Sequence, residues 1–151
     1  MRVLWAPWRL SYVEGAAPND GCIFCTLPAR EGAAERRAAL VLSSDELTSV
    51  MMNRFPYAHA HLMVAPRRHT SDLLALDAEA AAAVHRGLRA AVAALTAEYA
   101  PHGFNIGLNV GRAAGAGIAD HLHWHVVPRW EGDTNFMPTL ADTRVMPQHI
   151  E

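Results

Sequence analysis

His121-Leu122-His123-Trp124-His125-Val126-Val127 is the stretch on which the reading of this chain turns. In an extended strand, successive side chains point to opposite faces. His121, His123 and His125 then share one face, and Leu122, Trp124 and Val126 share the other. The second set is apolar and suited to a core. The first places three imidazoles in a row, about 6.5–7 Å from one to the next. A single histidine in a strand is ordinary polarity, but three in strict alternation point to chemistry. Two kinds fit. Histidines at i and i+2 can chelate one zinc; alternatively, one imidazole can be a nucleophile with acid–base partners beside it. Neutral imidazole is a good nucleophile near pH 7, and its phosphoramidate is labile enough to turn over. Upstream, Gly111, Gly115 and Gly117 form a glycine-rich turn that lets the backbone approach an anion and offer N–H groups to it.

Working outward from this strand gives the rest of the fold. Pro128 is expected to close it. Phe104–Val110 reads as a strand before the glycine-rich turn. Asp77 is an N-cap with Glu79 in the first turn, where negative charge is favoured. Val84, Leu88, Val92, Leu95 and Tyr99 recur on one helical face, and Pro101 and Gly103 end the run. That face is core, and His85 lies off it in solvent. His61–Ala65 is a short apolar strand closed by Pro66. Leu40–Leu42 and Leu47–Met52 pair around the polar turn Ser43–Glu46, and residues 28–38 read as a surface loop. About five strands with short connections and one long helix predict an α+β fold built on an antiparallel sheet. A Rossmann fold would need several helices alternating with parallel strands.

The bulk composition sets the frame. The chain has 151 residues, of which 51% are hydrophobic and 19% charged, which suits one globular domain. The net charge of −2 argues against a nucleic-acid binder, which needs a clustered basic surface. All 13 basic residues are arginine. The first residues lack the apolar stretch of a signal peptide, and no apolar run reaches the length of a membrane span. A cytoplasmic protein is expected. The two cysteines, Cys22 and Cys25, have the spacing of a zinc half-site, of a redox pair, or of two buried thiols. His69, in Pro66-Arg67-Arg68-His69, is a free candidate for a third ligand.

The triad strand resembles the histidine triad (HIT) family pattern, in which three histidines alternate with hydrophobic residues and two more hydrophobics follow. The resemblance runs from about Cys22 to Arg129 and takes in Asn53-Arg54-Phe55-Pro56, His61–Pro66 and Asn109-Val110-Gly111. It implies a single HIT domain over residues 1–151: an N-terminal zinc-binding segment to about residue 28, a core of about 39–130 and a tail from 131. It also implies hydrolysis or transfer of nucleoside phosphates through a nucleotidyl-histidine, usually in a homodimer. Carried onto this chain, His123 is the nucleophile, His125 the proton donor to the leaving group, and His61 a support for the α-phosphate site. Asn53, Asn109, Gly117 and Ile118 contact ribose or phosphate. In zinc-bearing members the ligand set corresponds to Cys22, Cys25, His69 and His121, a structural Zn2+ site that gives His121 a task apart from catalysis.

Two features narrow the resemblance. Where many members have a glutamine ahead of the triad, this chain has Gly117 in Ala116-Gly117-Ile118. Leu4-Trp5-Ala6-Pro7-Trp8-Arg9 and Pro128–Phe136 resemble the bacterial branch that includes diadenosine tetraphosphate phosphorylases. No role is expected for His59. Two other readings stay open: a zinc hydrolase with the histidine row as ligands, and a nucleotide-binding module without turnover. Against the first, such hydrolases add ligands from distant strands of a large barrel.

Overall fold

In a computed structural model the described residues are 21–133. The Leu4–Arg9 stretch and most of the expected tail lie outside them. Two short helices, α1 (Ile23–Thr26) and α2 (Ala33–Ala38), precede strands β1 (Val41–Ser44), β2 (Thr48–Met52) and β3 (Leu62–Pro66). The long helix α3 (Ala78–Tyr99) follows, then β4 (Gly103–Leu108) and β5 (Trp124–Arg129). The five strands form one sheet in the order β1-β2-β3-β5-β4, every neighbouring pair antiparallel. This is the α+β architecture expected from the pattern.

α3 begins where its cap says it should. The Asp77 side chain accepts the Ala80 N–H at 2.8 Å, which satisfies one of the orphan donors of the first turn. The helix ends at Ala100, in the left-handed conformation, with Pro101 behind it. It lies on the sheet face made by Val50, Leu62, Val64 and Val126, to which Val84, Ala91 and Leu95 add their side chains. Gly87 allows this close approach: a Cβ there would stand 3.0 Å from Val64 Cγ1 and 3.2 Å from Thr48 Cγ2. His85 is exposed, as expected. Tyr99 departs from the expected core stripe. It is 39% exposed and meets His59 edge-on at 4.9 Å.

The other sheet face carries Met51, Met63 and Ala65, capped by Phe24 from α1. β1 to β4 are shifted from the sequence reading by one or two residues at their ends, and three other differences have a plain cause. Ala33–Ala38 is helical rather than loop, because Ala-Ala-Glu-Arg-Arg-Ala has strong helix propensity. β5 begins only at Trp124, since β3 pairs with it no further than Val64 opposite Trp124 and the Leu122 N–H turns away to Thr70 O at 2.8 Å. β5 also runs through Pro128 to Arg129. Beyond Val126 it pairs only with β4, so the proline has one ladder rather than two to satisfy.

Candidate active site and metal centre

His61, His121, His123 and His125 are all buried, none more than 4% exposed. His61 precedes β3, His125 lies in β5, and His123 and His121 lie in the extended run leading into β5. Burying this much imidazole demands hydrogen-bond partners, and those partners fix which ring nitrogen holds the proton.

For His123 the partner is its own backbone two residues back: Nδ1 lies 2.8 Å from the His121 carbonyl oxygen. A carbonyl only accepts, so Nδ1 carries the hydrogen and Nε2 keeps its lone pair. Burial pushes this imidazole below its ordinary pKa, against the opposing pull of the His121 carbonyl. Burial thus favours a neutral ring, and the carbonyl contact leaves its lone pair on Nε2.

For His61 the assignment runs the other way. The Tyr57 backbone N–H donates to His61 Nδ1 at 3.2 Å, and Asn53 Nδ2 stands 3.3 Å from the same atom. Nδ1 is therefore an acceptor, so Nε2–H donates to His125 Nδ1 at 2.9 Å. His125 in turn carries its hydrogen on Nε2. The Tyr57 ring stacks on His61 (5.0 Å, 21°) and tilts against His125 (5.8 Å). Across from His125 on β4 is Gly107, which has no side chain to crowd that histidine.

The other expected nucleotide contacts lie at the ends of these elements. Asn53 forms an Asx turn, its Oδ1 accepting from the Phe55 N–H at 2.8 Å. Asn109 Nδ2 donates to the Gly115 carbonyl at 3.4 Å and ties the strand end to the glycine-rich turn. That turn places Gly111 and Gly115 at φ of 80° and 86°, conformations that favour glycine. Gly117 is exposed, and Ile118 packs against the cluster around Phe24.

Cys22, Cys25, His69 and His121 converge at the other end of the histidine run. Their four ligand atoms all lie within 4.8 Å of one another. His121 Nδ1 is 3.2 Å from Cys22 Sγ, 3.6 Å from Cys25 Sγ and 3.2 Å from His69 Nδ1, and Cys25 Sγ is 3.3 Å from His69 Nδ1. Tetrahedral zinc with bonds of roughly 2.0–2.3 Å would need ligand separations of about 3.3–3.8 Å, so the set fits a metal ion. His121 Nε2 donates to the Pro66 carbonyl at 2.8 Å, which leaves the Nδ1 lone pair facing the cluster. The Asp120 carboxylate, 3.9 Å from His69 Nε2, favours the same arrangement in His69. Burial raises the Cys22 thiol above its ordinary pKa, so a cation bound there would displace its proton.

Two residues of this site were not marked in the sequence. Tyr57 supplies a main-chain donor and a stacked ring, which no side-chain pattern announces. Phe24 stacks on His123 (4.7 Å, 24°), and its place between the two cysteines was the available signal. His59 contacts Tyr99 and, at 6.3 Å, Trp130, outside the histidine network.

The chain and its fold have relatives among known proteins. The HIT domain family matches residues 35–132, and the chain belongs to that family. It is 36% identical to the AP-4-A phosphorylase of Mycobacterium tuberculosis, over 96% of this chain and 76% of that protein. Among solved structures, a zinc-bound histidine triad family protein from Mycobacterium smegmatis is 29% identical, with a TM-score of 0.62 over 75% of this chain and 78% of that one. A HIT family protein from Bacillus anthracis gives a TM-score of 0.63 at 26% identity, over 86% and 84% of the two chains.

Proposed function

We propose that this protein cleaves adenosine dinucleoside polyphosphates, with diadenosine tetraphosphate as the substrate to test first, through a covalent nucleotidyl-histidine on His123. The observation that carries the proposal is the pinned tautomer: Nδ1–H held by the His121 carbonyl leaves Nε2 as the lone pair that attacks phosphorus. Attack at an α-phosphorus displaces the remaining phosphate chain. His125 offers its Nε2–H to the departing oxygen, and His61 holds His125 in that tautomer. The pair carries two ring hydrogens, so full proton transfer would strand an imidazolate. A polyphosphate leaves as a stable anion, and a hydrogen bond suffices.

The backbone N–H groups of the glycine-rich turn, near Gly117 and Ile118, take the α-phosphate oxygens, while Asn53 and Asn109 hold ribose or phosphate. Cys22, Cys25, His69 and His121 would hold zinc as a closed structural site; when bound, it fixes the strand to the N-terminal segment and takes no part in the chemistry. The relationship to the M. tuberculosis phosphorylase supports phosphate as the final acceptor. Among the described residues, no helix is long and apolar enough to cross a membrane. β4 ends the sheet with Ile106 exposed on it, which supports a homodimer.

The test is incubation with diadenosine tetraphosphate, with and without inorganic phosphate, followed by separation of products. ATP plus ADP formed only with phosphate is the expected result. ATP plus AMP regardless of phosphate would make water the acceptor. No turnover would remove this substrate and leave a nucleoside phosphoramidate, or binding alone.

A further inference from the structure

Phe24 is wholly buried in the Cys22-Ile23-Phe24-Cys25 turn. Metal binding requires nothing of it: the ligands are the sulfurs on either side, and an aliphatic side chain can also fill an apolar site. Yet the ring lies nearly parallel to the His123 imidazole, centroids 4.7 Å apart and planes 24° apart. It also tilts against His121 at 5.3 Å. His125, by contrast, meets His123 at a steep angle, at 5.1 Å and 74°. One π face of the imidazole with the pinned Nδ1–H is thus covered by a phenyl face.

We propose that Phe24 is a positioning residue for the reaction: it holds the plane of the His123 ring and stabilises the positive charge that the ring acquires in the covalent intermediate. The proposal rests on the nucleotidyl-histidine reading above. In the first half-reaction, the Nε2 lone pair forms the N–P bond and the P–O bond to the departing phosphate chain breaks, its electron pair leaving on that oxygen. His123 keeps its Nδ1 hydrogen. Both ring nitrogens are now substituted, and the imidazole carries a full positive charge. In the second half-reaction an acceptor oxygen attacks the same phosphorus, its proton leaves with product or to solvent, and the N–P pair returns to Nε2.

A phenyl face carries the negative part of the ring quadrupole, and a cation within about 6 Å of the centroid is attracted to it. The attraction is absent for the neutral ring and grows as charge forms, so it lowers the barrier rather than tightening substrate binding. The offset stack also resists rotation of the imidazole away from the line of attack. One short turn therefore serves two ends: its cysteines face the metal cluster and its phenyl ring faces the nucleophile.

The experiment replaces Phe24 with mono-, di- and trifluorophenylalanine, which drain the ring face of negative charge at nearly constant size. Single-turnover adduct formation with diadenosine tetraphosphate is followed by acid quench and mass spectrometry. The expected result is a stepwise loss reaching about tenfold in rate for the trifluoro ring, with KM and metal content unchanged. Phe24→Leu should lose a similar factor and still bind metal. A rate flat across the fluorinated series, or one that falls only in step with metal content, would overturn the proposal. His123→Ala separates the two levels. If it still turns over, or the unsubstituted protein forms no adduct, the nucleotidyl-histidine reading fails and takes this one with it. If it is inactive while the series is flat, only the role of Phe24 is lost.

Discussion

His121 and His123 are two residues apart, equally buried, and each is pinned by a main-chain carbonyl, yet they present opposite nitrogens. His121 gives its Nε2–H to Pro66 O and turns Nδ1 toward two cysteines and His69. His123 gives its Nδ1–H to His121 O and keeps the lone pair on Nε2. Residue type does not separate a candidate metal ligand from a candidate nucleophile here. The carbonyl within reach does. The same peptide unit joins the two ends, because the oxygen that pins His123 belongs to the residue whose ring faces the cluster.

The comparison can be broken most directly by deleting the candidate nucleophile. His123→Ala should reduce turnover of diadenosine tetraphosphate by at least ~10^4-fold while metal analysis still finds about one zinc per chain. Loss of zinc together with activity would mean that the histidine row is a single metal site. The reciprocal change is expected to be smaller in rate and larger in stability. Cys22→Ser should lower metal occupancy and bring the thermal midpoint down by several degrees, with nucleotide affinity less affected, as isothermal titration would report. A metal-free wild-type protein with an unchanged midpoint would sink the structural role of the cluster.

The smallest effect belongs to the opposite face of the sheet and serves as a control. Gly87→Ala adds a methyl 3.0 Å from Val64 Cγ1; overpacking should outweigh the gain in helix propensity and cost about 1 kcal/mol. Denaturant unfolding would show that loss, with metal content and turnover unmoved. A variant more stable than the parent would mean that α3 lifts freely from the sheet.

How much of this was legible beforehand follows the range of each signal. α3 was, since Asp77, the 3.6-residue stripe and Pro101 all act within a few residues of the helix. The alternation of the triad placed all three imidazoles on one face without any knowledge of the sheet. The start of β5 was not legible, because it depends on β3 ending its pairing at Val64 and on Leu122 reaching Thr70, both distant in sequence. His69 was already a candidate ligand beside the cysteines, the family resemblance added His121 and completed the set, and the structure brings all four together. Phe24 and Tyr57 were passed over because what they contribute is not a property of residue type. The Phe24 ring meets His123 only once α1 packs on the sheet, and Tyr57 acts through its main-chain N–H on His61.

Three of the groups that set the ring tautomers are peptide atoms: the oxygens of Pro66 and His121, and the N–H of Tyr57. A missense change edits side chains and leaves peptide groups behind, proline aside in the case of the N–H. These atoms therefore survive a change of side chain so long as the chain keeps its path, even where, as at His121 and Tyr57, the ring has contacts of its own that such a change would lose. The protonation pattern is inherited as a route through space rather than as a set of letters.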